Sequence, residues 1–137
     1  MEISSHIHSR GTRLALTVGT DGPQRPLEAT ARADGRGSAV NGGELLMAAL
    51  ATCYCNDLYR EAARLGIAIT GCEVRASASF DGVGRGAGRV VYAARIESPA
   101  PPADLDVLLA ETDRLAEIHA TLRGGCPVRR VAWEDHP

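Results

Sequence analysis

The stretch Glu44-Leu-Leu-Met-Ala-Ala-Leu-Ala-Thr-Cys53 constrains this chain more than any other. Ahead of it, Asn41-Gly-Gly-Glu44 predicts a capping box, with Asn41 accepting from the first turn and Glu44 reaching back. Gly66 predicts a left-handed stop after Leu65, so the helix should end there. Leu45, Leu46, Met47, Ala48, Ala49, Leu50 and Ala51 leave almost no polar face in its first half. A helix that is apolar all round has to be buried all round. One small sheet covers only one side, and a second subunit is the simplest cover for the other. Polarity returns at Asn56, Asp57, Arg60, Glu61 and Arg64, so that end should meet solvent or a polar site.

The segments around this helix read as β structure before it and mixed structure after it. Leu14–Val18 and Leu27–Ala31 are predicted strands separated by the turn chemistry of Gly19-Thr-Asp-Gly-Pro23. His6 and His8 fall on one face of an earlier strand, read as exposed. Glu73–Phe80 alternates, with Val74, Ala76, Ala78 and Phe80 on its buried face. Arg89–Glu97 is its hairpin partner across the glycine-rich Asp81–Gly88. Those glycines lie between strands and open no helix, which argues against a phosphate cradle. Pro102 starts a second, amphipathic helix carrying Leu105, Leu108, Leu109, Thr112, Leu115, Ala116 and Leu122, ending at Gly124-Gly125. Val131–Trp133 is a predicted final strand, with Trp133 as a core anchor. The expected class is α+β: one domain over residues 1–137, its antiparallel sheets wrapped around a buried central helix.

A chain of 137 residues with 45% hydrophobic content can bury about two-thirds of its unfolded surface without disulfide staples. The net charge of −2 gives no general affinity for nucleic acid or anionic membrane. No apolar stretch approaches the roughly 18 residues that span a bilayer, and Met1–Arg10 has no signal-peptide core. A cytoplasmic location is therefore expected, where thiols stay reduced. All 15 basic residues are arginine, so every side-chain cation keeps its charge at any working pH.

Under reducing conditions the four cysteines read as redox, metal or core residues. Cys53 lies in the dry helix and Cys126 opens Cys-Pro-Val at a turn. If the fold brings them together, they can serve as attacking and resolving thiols. Attack requires a thiolate, whereas an ordinary cysteine has a pKa of about 8.5 and apolar burial raises it. Cys53 lies too far into its own helix to gain from that helix's N-terminus, so a cation is required. Arg10 and Arg36 are the candidates. Cys55 lies about 200° around the helix from Cys53 and reads as core, as does Cys72. A zinc set of Cys53, Cys55, Cys126 and His119 is disfavoured because Cys-X-Cys in a helix points its sulfurs apart. Asp57, one turn after Cys53, either orients a polar group there or is solvated.

Glu44–Cys53, Leu65-Gly-Ile67 and Cys126-Pro-Val128, together with the order of elements, resemble the OsmC/Ohr family of osmotically inducible and organic hydroperoxide resistance proteins. Asp57 brings the chain nearest to the divergent OsmC-like branch. The resemblance implies an intertwined homodimer with both cysteines near the interface. It also implies thiol-dependent reduction of organic hydroperoxides, with Cys53 and Cys126 as the redox pair and Arg10 as the activating arginine. Gly42-Gly43 stand where strongly active members carry Pro-Glu, a glutamate that helps hold that arginine. Glu44 is about 100° further round the helix and does not replace it.

Two functions follow. In the first, Cys53 attacks an organic hydroperoxide, Cys126 resolves the sulfenic acid, and an external dithiol reduces the disulfide. It uses no cofactor and no metal. In the second, a non-catalytic OsmC-like dimer binds a small apolar ligand in its interface pocket. Neither involves nucleic acid or membrane.

Overall fold

The computed structural model describes residues 1–126, 128, 130 and 132–135. Its contacts divide into two compact units, Met1–Leu45 and Leu46–Pro137. The architecture is α+β with antiparallel pairing throughout the described strands.

In the first unit, β1 (Ile3–Arg10), β2 (Arg13–Thr20) and β3 (Gln24–Pro26) form a sheet in the order β1-β2-β3. Their register runs from Ile3 opposite Thr20 to Arg10 opposite Arg13. That pairing leaves a two-residue turn in which Gly11 takes φ +57°, the positive φ such a hairpin needs. His6 and His8 lie on β1 and are exposed, as predicted. The third strand is displaced from its predicted place. Gln24–Pro26 pairs with Thr17–Gly19, and the predicted Leu27–Ala31 adds only the Leu27 N–H bond to Leu16 and a lone bridge from Ala31 to Ser38. Pro26 opposes Thr17 in a pair whose ladder bonds come from its neighbours, so its missing N–H faces away from β2, where an edge strand tolerates proline.

Helix α1 spans Gly42–Leu65. Its capping box forms as the sequence predicts: the Glu44 N–H donates to Asn41 Oδ1 at 2.9 Å, and the Asn41 N–H donates to Glu44 Oε2 at 2.7 Å. At the other end Gly66 takes φ +70°. The Ile67 N–H then reaches the Ala62 carbonyl at 2.9 Å, and the Gly66 N–H reaches that of Ala63 at 3.3 Å. Those two bonds make a Schellman stop.

In the second unit, β4 (Gly71–Phe80) and β5 (Ala87–Glu97) form a long hairpin. Val74, Ala76 and Ala78 are half-buried while Arg75, Ser77 and Ser79 are exposed, which is the predicted alternation. Phe80 leaves the pattern and is 50% exposed, beside a register irregularity at Ser79/Phe80. The core joins Tyr54, Leu58 and Ala62 of α1 to Leu108 and Ala116, flanked by Val74, Tyr92, Ala94 and Ile96 of the hairpin.

The predicted second helix is two helices. Helix α2 runs Pro102–Leu115 and α3 runs Glu117–Gly124. Between them Ala116 is extended, at φ −69° and ψ 112°. Alanine has the best intrinsic helix propensity, so local sequence gives no reason to stop there. Packing gives one: Ala116 is 1% exposed and seated in the core. One other expectation also fails. Trp133 begins a short 3-10 turn, Trp133–Asp135, and is 78% exposed, so it is no core anchor. The predicted strand around it includes Val131, which lies outside the described residues. In the first half of α1, Ala48, Ala49 and Thr52 are exposed and Leu45, Leu46 and Met47 only half-buried, so the single chain does not cover that helix on all sides.

Candidate functional site

Helix periodicity builds the site around Cys53. Asp57 follows it by four residues and Arg60 follows Asp57 by three, so all three share one side of α1. The half-buried Cys53 thiol donates to Asp57 Oδ2 at 3.4 Å and approaches Glu117 Oε2 at 3.9 Å. Arg60 Nη1 bridges the two carboxylates, 2.8 Å from Asp57 Oδ1 and 3.3 Å from Glu117 Oε1. Asp57 itself is 4% exposed. The second half of α1 therefore meets a polar site, as expected, yet its acids are sunk beneath arginines. Glu61 is likewise buried, between Arg60 and Arg64, and Arg64 continues to Glu111 at 2.7 Å.

The break at Ala116 supplies the far wall. It starts α3 beside Cys53, so that Glu117 and the Ile118 N–H, from the first turn of α3, both reach the sulfur. A backbone N–H at a helix start stabilises a thiolate. The sequence correctly denies Cys53 help from its own helix terminus, but the start of α3 offers some. Against that stand burial first, then Asp57 and Glu117, and together they push the Cys53 thiol above its ordinary value. Burial also raises Asp57, partly offset by the hydrogen bond from Cys53 and by Arg60. The thiol therefore stays protonated, with a hydrogen-bonded carboxylate in place to accept its proton.

Cys53, Asp57 and Glu117 place their ligand atoms within 4.8 Å of one another, close enough to hold a metal ion. Arg60 already provides the cation between the two carboxylates, so the set fits a guanidinium better than a metal. The zinc set considered from sequence does not assemble around Cys53, because Cys55 turns instead to Cys72.

Cys126 and Arg10 are the other residues expected at the site. Cys126 is exposed after Gly125. Arg10 closes β1 in the first unit, opposite Arg13, and is exposed. Sequence reasoning missed Arg60, Glu117 and the Ile118 amide. Spacing from Cys53 could have found Arg60, whereas the other two depend on the unforeseen break.

Behind the site, His119 is 2% exposed and packs against Tyr54 and Tyr92, with ring centroids 5.1 and 4.4 Å away. Neither of its ring nitrogens has a hydrogen-bond partner among the described residues. Burial foremost, then Arg123, lowers its pKa and keeps it neutral. Tyr92 donates to Asp113 and accepts from Arg123.

No helix among the described residues is long and apolar enough to cross a membrane. The fold has solved counterparts. The OsmC-like protein of Mycoplasma pneumoniae is 18% identical, with a TM-score of 0.65 over 90% of this chain and 87% of its own. The organic hydroperoxide resistance protein OsmC of Legionella pneumophila is 19% identical, with a TM-score of 0.59 over 90% of each chain. The organic hydroperoxide resistance protein OhrB of Bacillus subtilis is 18% identical, with a TM-score of 0.53 over 89% of this chain and 92% of its own. At these identities the likeness concerns the fold. No curated protein sequence matches the chain. The OsmC-like protein family model matches residues 35–130, which include the whole of α1, the hairpin, α2 and α3. With its sequence matched over most of its length and its fold shared with solved relatives, the chain belongs to the OsmC-like family.

Proposed function

We infer that this protein reduces organic hydroperoxides with Cys53 as the attacking sulfur. The observation that carries the reading is the hydrogen bond from the Cys53 thiol to the buried Asp57 carboxylate, with Arg60 fixing that carboxylate from behind. Hydroperoxide resistance proteins among the structural neighbours support the same chemistry. Asp57 takes the thiol proton as the sulfur attacks the terminal peroxide oxygen, and the Ile118 N–H steadies the forming thiolate. The O–O bond breaks, and the alkoxide leaves as the alcohol with the proton from Asp57. Cys53 is now a sulfenic acid. Cys126 then attacks its sulfur, water departs, and an external cytoplasmic dithiol reduces the disulfide by exchange. Arg10 is the cation proposed for the thiolate, and its substitution tests that role.

The working unit is proposed to be a homodimer, because the apolar first half of α1 leaves Ala48 and Ala49 exposed. The test is thiol counting after cumene hydroperoxide. Loss of two thiols that depends on both Cys53 and Cys126 supports the enzyme, and unchanged turnover in Cys53→Ser ends it.

A second reading, a non-catalytic dimer that holds a small apolar ligand, is favoured by a separate observation. An open groove of about 700 Å³ lies between α1 and the hairpin, lined by Met47, Ala48, Ala51, Val74, Ala76 and Tyr92. Thiols that stay unreacted at high peroxide, together with saturable binding of a fluorescent fatty acid, would select it.

A further inference from the structure

The two cysteines read as core from the sequence touch one another. Cys55 on α1 and Cys72, the second residue of β4, bring their sulfurs to 3.3 Å. Both are half-buried rather than sealed. A disulfide needs a separation of about 2.05 Å, so only a small approach and rotation about two side-chain bonds remain. Nothing in the chemistry of Cys53 uses this pair, which lies on the other side of the same helix.

We propose that Cys55 and Cys72 are a second redox couple, which closes to an internal disulfide clamping α1 to β4. The oxidant is a low-molecular-weight disulfide of the glutathione type. The Cys55 thiolate attacks one sulfur of that disulfide. The reagent S–S bond breaks, and one thiol leaves carrying the proton that Cys55 has lost. Cys72 then attacks the Cys55 sulfur of the mixed disulfide. A second reagent thiol leaves with the Cys72 proton, and the Cys55–Cys72 bond forms. Two protein thiols have lost two hydrogens and two electrons, and one small disulfide has become two thiols. Burial and the adjacent sulfur push the Cys72 thiol up to about 11, which makes it slow to ionise. Its closeness to Cys55 offsets that handicap, since an attack between held neighbours outruns one from solution.

The experiment uses the full chain carrying Cys53→Ser and Cys126→Ser, equilibrated with mixtures of reduced and oxidised glutathione. Remaining thiols are trapped with iodoacetamide, and peptides are mapped by mass. The expected result is a cross-linked Cys55–Cys72 peptide, two hydrogens lighter than its reduced parts, within a monomeric chain. It should return to two alkylated peptides after dithiothreitol and should not form in Cys72→Ala. The urea-denatured chain should require a more oxidising mixture to reach half closure. The same mapping on the unsubstituted protein guards against misfolding of the variant. Full alkylation of both residues, a glutathione adduct that never closes, or equal midpoints for folded and denatured chains would overturn the proposal. Because Cys53 is absent, failure here leaves the peroxidase reading standing, and the reverse also holds.

Discussion

Asp57 plays two opposed parts toward Cys53, and one substitution separates them. Its charge and its hydrogen bond hold the thiol protonated, while its carboxylate is the group that receives the proton. Asp57→Asn should therefore lower the pH at which Cys53 is alkylated by iodoacetamide. It should also slow hydroperoxide reduction by about 10²-fold or more, the usual cost of losing a general base. A rate that rises along with the easier ionisation would remove Asp57 from the chemistry. His119 offers a cleaner pH test. Its folded-state pKa is lowered, so the unfolded chain binds the proton more readily. Stability from keeping it neutral is intact above the unfolded value, near ~6.5, and is lost as pH falls below it. His119→Phe fills the same aromatic niche without titrating, and urea midpoints compared between pH 7 and pH 5 should fall for the parent and hold steady for the variant. Legibility at this scale was uneven. Cys53 and Asp57 could be read because they sit one turn apart on a helix with clear limits. Glu117 could not, because its place depends on the helix break at Ala116.

Among the elements, α1 is the most fully written into local sequence. Both of its ends use side-chain and glycine chemistry that needs no tertiary help: the Asn41–Glu44 box and the Gly66 stop. Asn41→Ala should cost about 1 kcal/mol in urea unfolding, the typical value of an N-cap, with no change in the Cys53 alkylation profile. A larger loss would mean that the cap also holds something beyond its own helix. The β4–β5 hairpin was legible for a similar reason, since a period of two is visible without knowing what it packs against. The displaced third strand and the divided second helix were not. Ala116 acts there through a core contact that is no neighbour in sequence.

Over the whole molecule, charge and assembly can be tested together. Glu61, Glu73 and Glu111 are each held below the ordinary carboxylate value, first by hydrogen bonds from Arg64, Arg75 and Arg114 respectively. Their contribution is present above the unfolded pKa and disappears as pH falls through the lower folded values. Thermal melts should therefore drop steeply below about pH 4.5. No matching decline tied to these pairs is expected on the alkaline side, because all their partners are arginine. The proposed dimer predicts a light-scattering mass twice the 14.4 kDa of one chain, and Ala48→Glu on the exposed face of α1 should return it to one. A dimer unmoved by that charge would place the contact elsewhere. The extended residue at 116 carries a last consequence. It acts as a pivot, and the angle it sets decides how near an amide and an acid stand to the thiol. Variation that lengthened, stiffened or re-aimed this joint could tune nucleophile reactivity across related chains while every residue named in the chemistry stayed the same.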